Sequence, residues 1–137
     1  MKNLFLILFV VLLASACREP LSTERFIRGE GPFEFPVDMS DTTAAYDFDL
    51  YTRVDAREVP ASLPLTITWT SPSDSVYAES VELPLRGRQG LFSMDVYRPY
   101  RADMRPVEAG EWKVTVATPG PVPEGFRGMG LVVRKVK

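Results

Sequence analysis

Tyr46-Asp47-Phe48-Asp49-Leu50-Tyr51-Thr52-Arg53-Val54 is the stretch that decides the fold. Tyr46, Phe48, Leu50, Thr52 and Val54 fall on one side of an extended chain, and Asp47, Asp49, Tyr51 and Arg53 on the other. Successive side chains of a strand point to opposite faces, so a period of two marks one buried face and one wet face.

The same period recurs on both sides of this stretch. Phe33, Phe35, Val37 and Met39 alternate with Glu34, Pro36 and Asp38. Leu65, Ile67 and Trp69 alternate with threonines, Val81, Leu83 and Leu85 with Glu82, Pro84 and Arg86, and Trp112, Val114 and Val116 with Lys113 and Thr115. In the last run Leu131, Val133 and Lys135 share one face, and Val132, Arg134 and Val136 the other. Turn residues separate the runs, as at Gly29-Glu30-Gly31, Ser71-Pro72-Ser73-Asp74 and Pro119-Gly120-Pro121. Pro36 and Pro84 lie inside strand patterns, which places them on sheet edges or at bulges. The fold class is all-β, a single antiparallel β-sandwich of about six to eight strands over residues 25–137. Tyr97–Val107 is the least regular piece and reads as an excursion loop or one short helix.

The start of the chain has a different logic. Met1-Lys2-Asn3 precedes the apolar run Leu4–Leu13, which ends in Ala14-Ser15-Ala16-Cys17. A basic n-region, an apolar h-region and a small-residue cleavage site make a secretory signal over residues 1–16. As a helix the run spans only about 15 Å, half of a bilayer core of about 30 Å. The tail Leu13-Ala14-Ser15-Ala16-Cys17 resembles the lipobox of bacterial lipoproteins. That resemblance implies a diacylglyceryl group on Cys17 and a chain held extracytoplasmically on an envelope membrane. The alternative is an ordinary signal peptide cut after Ala16, with Cys17 a free thiol. The only cysteine standing directly after an Ala-x-Ala site favours lipidation. Residues 17–24 then form the lipidated cysteine and a tether.

Removal of residues 1–16 leaves 121 residues with 15 basic and 18 acidic side chains. That length suits one domain with a true core. The acidic balance argues against nucleic acid as a partner, since such binding needs a basic footprint. The chain has no histidine. The usual general base, the serine–histidine and cysteine–histidine nucleophile pairs and the commonest transition-metal ligand are therefore missing. No cofactor or metal is expected, and no serine sits in a Ser-x-x-Lys or Gly-x-Ser-x-Gly setting.

Three constellations remain. Asp38, Asp41, Asp47 and Asp49 form the densest acidic group, with Asp47 and Asp49 about 7 Å apart on one strand face. Such carboxylates could work as an acid–base pair or ligate calcium, but the pattern reads first as a solvated strand face. Gly125-Phe126-Arg127-Gly128-Met129-Gly130 leads into a strand rather than a helix, so the glycines mark a bulge or tight strand entry instead of a phosphate cradle. Arg86, Arg88, Arg98, Arg101 and Arg105 are interleaved with Phe92, Tyr97 and Tyr100. Arginine and tyrosine are enriched where proteins meet, so Arg98, Tyr100, Arg101 and Arg105 are the candidate partner-binding residues.

Several segments, taken in order, look like the gliding-motility lipoprotein GldH family of Bacteroidetes. Phe33-Glu34-Phe35-Pro36-Val37, then Asp41-Thr42-Thr43 and Tyr46, is similar to that family's strand, Asp-Thr turn and tyrosine-led strand. Glu79–Leu85 resembles its mid-chain strand. Ala109-Gly110-Glu111-Trp112 through Val116, followed by Gly125–Lys135, resembles its C-terminal end. The resemblance implies a non-enzymatic part in a gliding-motility or secretion-type assembly, with the bilayer and other envelope proteins as partners. A second reading, from the aromatics alone, is a carbohydrate- or peptidoglycan-binding sandwich with Trp69, Trp112 or Tyr97 as a stacking platform. Exposure separates the two: coplanar exposed aromatics on one face favour sugar, buried tryptophans favour a protein partner.

Overall fold

A computed structural model of the chain describes residues 22–55, 60–85 and 93–136. The signal peptide, Cys17 and most of the tether lie outside these residues, as do Arg86, Arg88 and Phe92. Eight strands run in order: β1 (Ser22–Arg28), β2 (Phe33–Asp38), β3 (Ala45–Asp55), β4 (Ser62–Thr70), β5 (Val76–Pro84), β6 (Ser93–Met104), β7 (Glu111–Ala117) and β8 (Phe126–Val136). No helix occurs among the described residues, so none there is long and apolar enough to cross a membrane. The strands form two antiparallel four-stranded sheets, β1-β8-β3-β6 and β2-β7-β4-β5.

The sheets pack as a sandwich because each strand turns one apolar row inward. Phe33, Phe35 and Val37 of β2, Phe48 and Leu50 of β3, Leu65, Ile67 and Trp69 of β4, Val114 and Val116 of β7, and Met129 and Leu131 of β8 make one continuous core. Burying a side chain of this size stabilises by about 1.5–3 kcal/mol, which makes the alternating rows the main driving term. Thr52 shares the inward face and is fully buried. Its hydroxyl donates to the Gly128 carbonyl at 2.9 Å, so the polar group is satisfied.

Pro36 and Pro84 both fall in edge strands, β2 and β5. Phe126–Gly128 enters β8 through a register break opposite Arg53 and Val54, as the glycine pattern predicts. Two expectations need correction. Tyr97–Val107 is neither loop nor helix at its core, because residues through Met104 belong to β6. The pairing of β6 with β3 shifts twice, between Tyr46 and Phe48 and between Phe48 and Asp49. Each shift puts an extra residue into β6, and Pro99 sits beside them, so the period of two is lost although the strand is not. The tether is also shorter than read. β1 starts at Ser22, and Ser22–Glu24 are paired to Arg134–Val132 of β8.

Candidate interaction surface

The candidate residues on and beside β6 divide into two kinds. The bulge at Tyr100 turns both Tyr100 and Arg101 toward β5 of the opposing sheet. The Tyr100 hydroxyl donates to Glu79 Oε1 and accepts from Trp69 Nε1 at 2.9 Å. Arg101 Nη2 donates to Glu79 Oε2 at 2.7 Å. Burial, followed by the bond to Glu79, pushes the Tyr100 phenol up to about 12. For Glu79 burial raises the carboxyl, but donation from Tyr100 and Arg101 outweighs it, and the net shift is downward. Tyr100 and Arg101 therefore clamp the two sheets together. Arg98 and Arg105 remain peripheral: Arg98 Nη1 donates to the Tyr97 carbonyl at 2.9 Å, and Arg105, just past β6, is mostly exposed and 3.8 Å from Asp103.

The acidic group is also spent locally. Asp49 accepts two bonds from Arg134, at 2.6 and 3.1 Å. Asp47 accepts the Asp103 amide at 2.8 Å, which holds Asp103 at the left-handed φ of 53° that its bulge requires. Asp41 caps its own turn through Thr43 and pairs with Lys135 at 3.2 Å. Bonds from Thr43, and then from Lys135, pull its carboxyl down to about 2. Among the described residues no group of three or more acidic, cysteine or histidine side chains could hold a metal ion.

The tryptophans belong to the core. Trp69 is buried, edge-on to Phe48, and Trp112 is half-buried beside it with its Nε1 donating to the Glu108 carbonyl. A different aromatic row crosses the outer face of the β1-β8-β3-β6 sheet. Tyr51 stacks on Tyr97 at 4.5 Å and on Phe26 at 5.7 Å, while the Arg53 guanidinium lies 4.4 Å over Phe26. Tyr51 is only 2% exposed although it points outward. It lies across Gly130, where a Cβ would stand 2.1 Å from its ring. Tyr51 lies between Phe26 and Tyr97 and covers the bare backbone of Gly130, whereas Tyr97 at the end of the row stays 43% exposed, its hydroxyl donating to Glu24 at 2.9 Å.

The four sheet edges differ more than any side-chain cluster does. β2 carries Pro36. The Met39 amide and carbonyl bond to Gly110, and by alternation Pro36 faces the free edge, where it deletes a donor. β6 is broken by its two register shifts and Pro99. β1 is short and carries Glu24, Arg25 and Arg28, charges of the kind that blunt edges. β5 carries Glu79 and Glu82 and ends in Pro84, but no break interrupts its pairing. It pairs with β4 over nine residues without a shift, from Val76 opposite Thr70 to Pro84 opposite Ser62. The Leu85 amide donates to Ala61, so Val76, Ala78, Ser80 and Glu82 turn their amides to the open side. Val76 and Tyr77 there are 67% and 58% exposed. Sequence reasoning singled out β6 and passed over this edge. The available signal was an unbroken alternating run with its only proline at the last position.

A cleft of about 600 Å³ opens between β1 and β2 on the opposite side of the sandwich, with Phe35, Val37 and Leu131 in its wall and Asp41 and Lys135 at one end.

No protein-family model matches the chain, and no curated protein matches it. Among solved structures the chain is similar to an arabinose-bound MgGH51 α-L-arabinofuranosidase, at 13% identity and a TM-score of 0.33, over 83% of this chain and 17% of that one. A likeness this low carries no argument about fold or activity.

Proposed function

We propose that this chain is a membrane-anchored envelope lipoprotein whose sandwich serves, without catalysis, as a component of a gliding-motility or secretion-type protein assembly. The bare β5 edge carries this reading. Among the described residues no strand pairs with the outer edge of β5, and such a run of backbone amides and carbonyls is a template for strand addition. The lipobox-like Leu13–Cys17 and the resemblance to the GldH family supply the setting. Ser22 follows Cys17 by five residues, a reach of at most about 18 Å, so an acylated Cys17 would hold the sandwich close to the bilayer. Docking then takes place at the membrane surface through backbone bonds, and specificity comes from the alternate side chains of β5.

The test is crosslinking in the native cell followed by recovery through a C-terminal tag. We expect a small set of defined envelope proteins with the wild-type chain. They should be lost with Cys17→Ala, which removes the anchor, and with Ser80→Pro, which removes an outward amide while leaving the β4 ladder paired. Recovery of glycan fragments or bulk membrane alone would overturn the assembly role in favour of a carbohydrate-binding sandwich.

A further inference from the structure

We infer that the end of the sandwich from which the tether leaves is itself a membrane-contact surface, laying Val76, Tyr77, Val107 and Val136 in the interfacial layer of a lipid bilayer. This rests on the reading of Cys17 as an acylated anchor and adds a second contact to it. Strand pairing defines the end. In one sheet Ser22 lies opposite Arg134, Ala45 opposite Val136 and Tyr46 opposite Met104. In the other, Asp38 lies opposite Glu111, Lys113 opposite Thr70 and Thr70 opposite Val76. The Lys135–Asp41 pair, at 3.2 Å, ties these two sheet ends together. The start of β1 therefore shares one end of the sandwich with the β2–β3, β4–β5 and β6–β7 connections.

Apolar side chains scattered singly over a surface are ordinary. Here they are concentrated. Of the five large apolar side chains exposed among the described residues, Val76, Tyr77, Val107 and Val136 lie at this end, and Tyr97 alone lies along a sheet face. Val107 is 95% exposed, yet its loop is pinned on both sides. Pro106 before it is buried. Glu108 after it accepts Trp112 Nε1 on its carbonyl at 2.9 Å and the Ser73 hydroxyl on its carboxylate at 2.7 Å. The backbone is fixed while the side chain stands in water.

The tether names the occupant. Five residues separate Cys17 from Ser22, so acyl chains in a bilayer bring this end, and not the opposite one, to the membrane surface. Buried apolar area adds to what acyl chains supply, and the amphipathic ring of tyrosine suits the headgroup level. Asp74, Asp103, Glu108 and Glu111 stand at the same end beside Arg105. The contact is therefore apolar rather than an attraction to anionic headgroups, and salt should not weaken it. The strands then stand upright on the bilayer, and the β5 edge rises from it with its outward amides facing sideways.

A single label reads the depth of each site. An acylated Cys17 has no thiol left and the chain has no other cysteine, so Val107→Cys, Val76→Cys and Gly120→Cys each take one nitrobenzoxadiazole label. Gly120 is the control: it follows β7 at the opposite end, roughly 20 Å of strand away, and an added Cβ there meets nothing within 4 Å. The full lipidated chain is reconstituted in phosphatidylcholine vesicles, with and without a doxyl-labelled quencher lipid, and circular dichroism checks that each variant is folded. We expect blue-shifted emission at positions 107 and 76, its loss when quencher lipid is present, the same result at high salt, and no change at position 120. Labels at 107 and 76 that stay unquenched on a chain that still floats with the vesicles overturn the inference and leave the anchor standing. Equal quenching at all three positions overturns it as well, because no end is then preferred. Wild-type protein that takes the label, or that does not float with the vesicles, shows Cys17 to be unacylated, and the inference falls together with the anchor.

Discussion

The guanidinium of Arg101 on β6 lies 2.7 Å from the carboxylate of Glu79 on β5, so the edge strands of two different sheets are joined by an ion pair. The core between the sheets is apolar packing, which fixes distance but little direction. The Arg101–Glu79 pair, with Tyr100 beside it, gives this open side of the sandwich a directional contact. Both groups are partly exposed, at 36% and 20% of their side-chain surface, which limits what the pair contributes.

Glu79→Gln should therefore lower stability by about 1–2 kcal/mol, discounted for solvent screening, without changing the fold. The amide leaves Arg101 without its counter-charge and weakens the Tyr100 bond. Urea unfolding of the two proteins measures it. A midpoint equal to wild type would mean that the clamp holds geometry but adds no stability.

Tyr100 makes stability sensitive to alkali. Its phenol is pushed up to about 12 by burial and by Glu79, whereas an unfolded tyrosine ionises near 10. Between these values the native chain keeps a proton that the unfolded chain releases. Stability contributed by this group is present below pH 10 and falls as pH rises toward 12. Tyr100→Phe should start less stable at neutral pH and lose less on going to pH 11.5. Urea midpoints across that range decide it, and a slope identical to wild type would remove Tyr100 as a contributor.

Asp41 acts at the acid end with the opposite sign. Thr43 and Lys135 lower its carboxyl from 3.8 to about 2 in the folded chain. Its contribution is present above pH 4 and lost as pH falls toward 2, where the unfolded chain takes up the proton first. Asp41→Asn should flatten the acid side of the stability profile between those values. Acid titration followed by tryptophan fluorescence reads the change, since Trp69 lies in the core.

Gly130→Ala should be among the most damaging single-methyl additions to this chain. The new Cβ would stand 2.1 Å from the Tyr51 ring, which is itself held in its stack by Phe26 and Tyr97. Overpacking of this kind costs about 1–3 kcal/mol. Gly120, with nothing within 4 Å of an added Cβ, is the internal control and should tolerate alanine. Comparable thermal midpoints for the two variants would show that the aromatic row yields freely.

Tyr51 illustrates how far pattern reading goes. Alternation assigns it to the outer face of β3, and the structure puts it there, yet it is as buried as a core residue because partners from β1 and β6 close over it. Phe26 of β1 stands 25 residues before Tyr51 and Tyr97 of β6 stands 46 after it, separations that no local pattern bridges. The same holds for Tyr100 and Arg101. Their composition suggests a binding surface, and a bulge in β6 turns them onto Glu79, a contact between the sheets that no local pattern records.

The amino-acid sequence by itself determined that the chain is built of strands, which rows face the core, and that Pro36 and Pro84 lie on edges or at bulges. Those properties are set by the two-residue period of an extended chain and by the missing amide of proline, both local. Only the tertiary structure decided that β5 is the open edge and that β6 continues through Pro99, and it alone brought Arg101 to Glu79. Strand order, bulges and contacts between sheets depend on which distant segments pair. That choice is made by the energy of the assembled core and is not written in any single stretch.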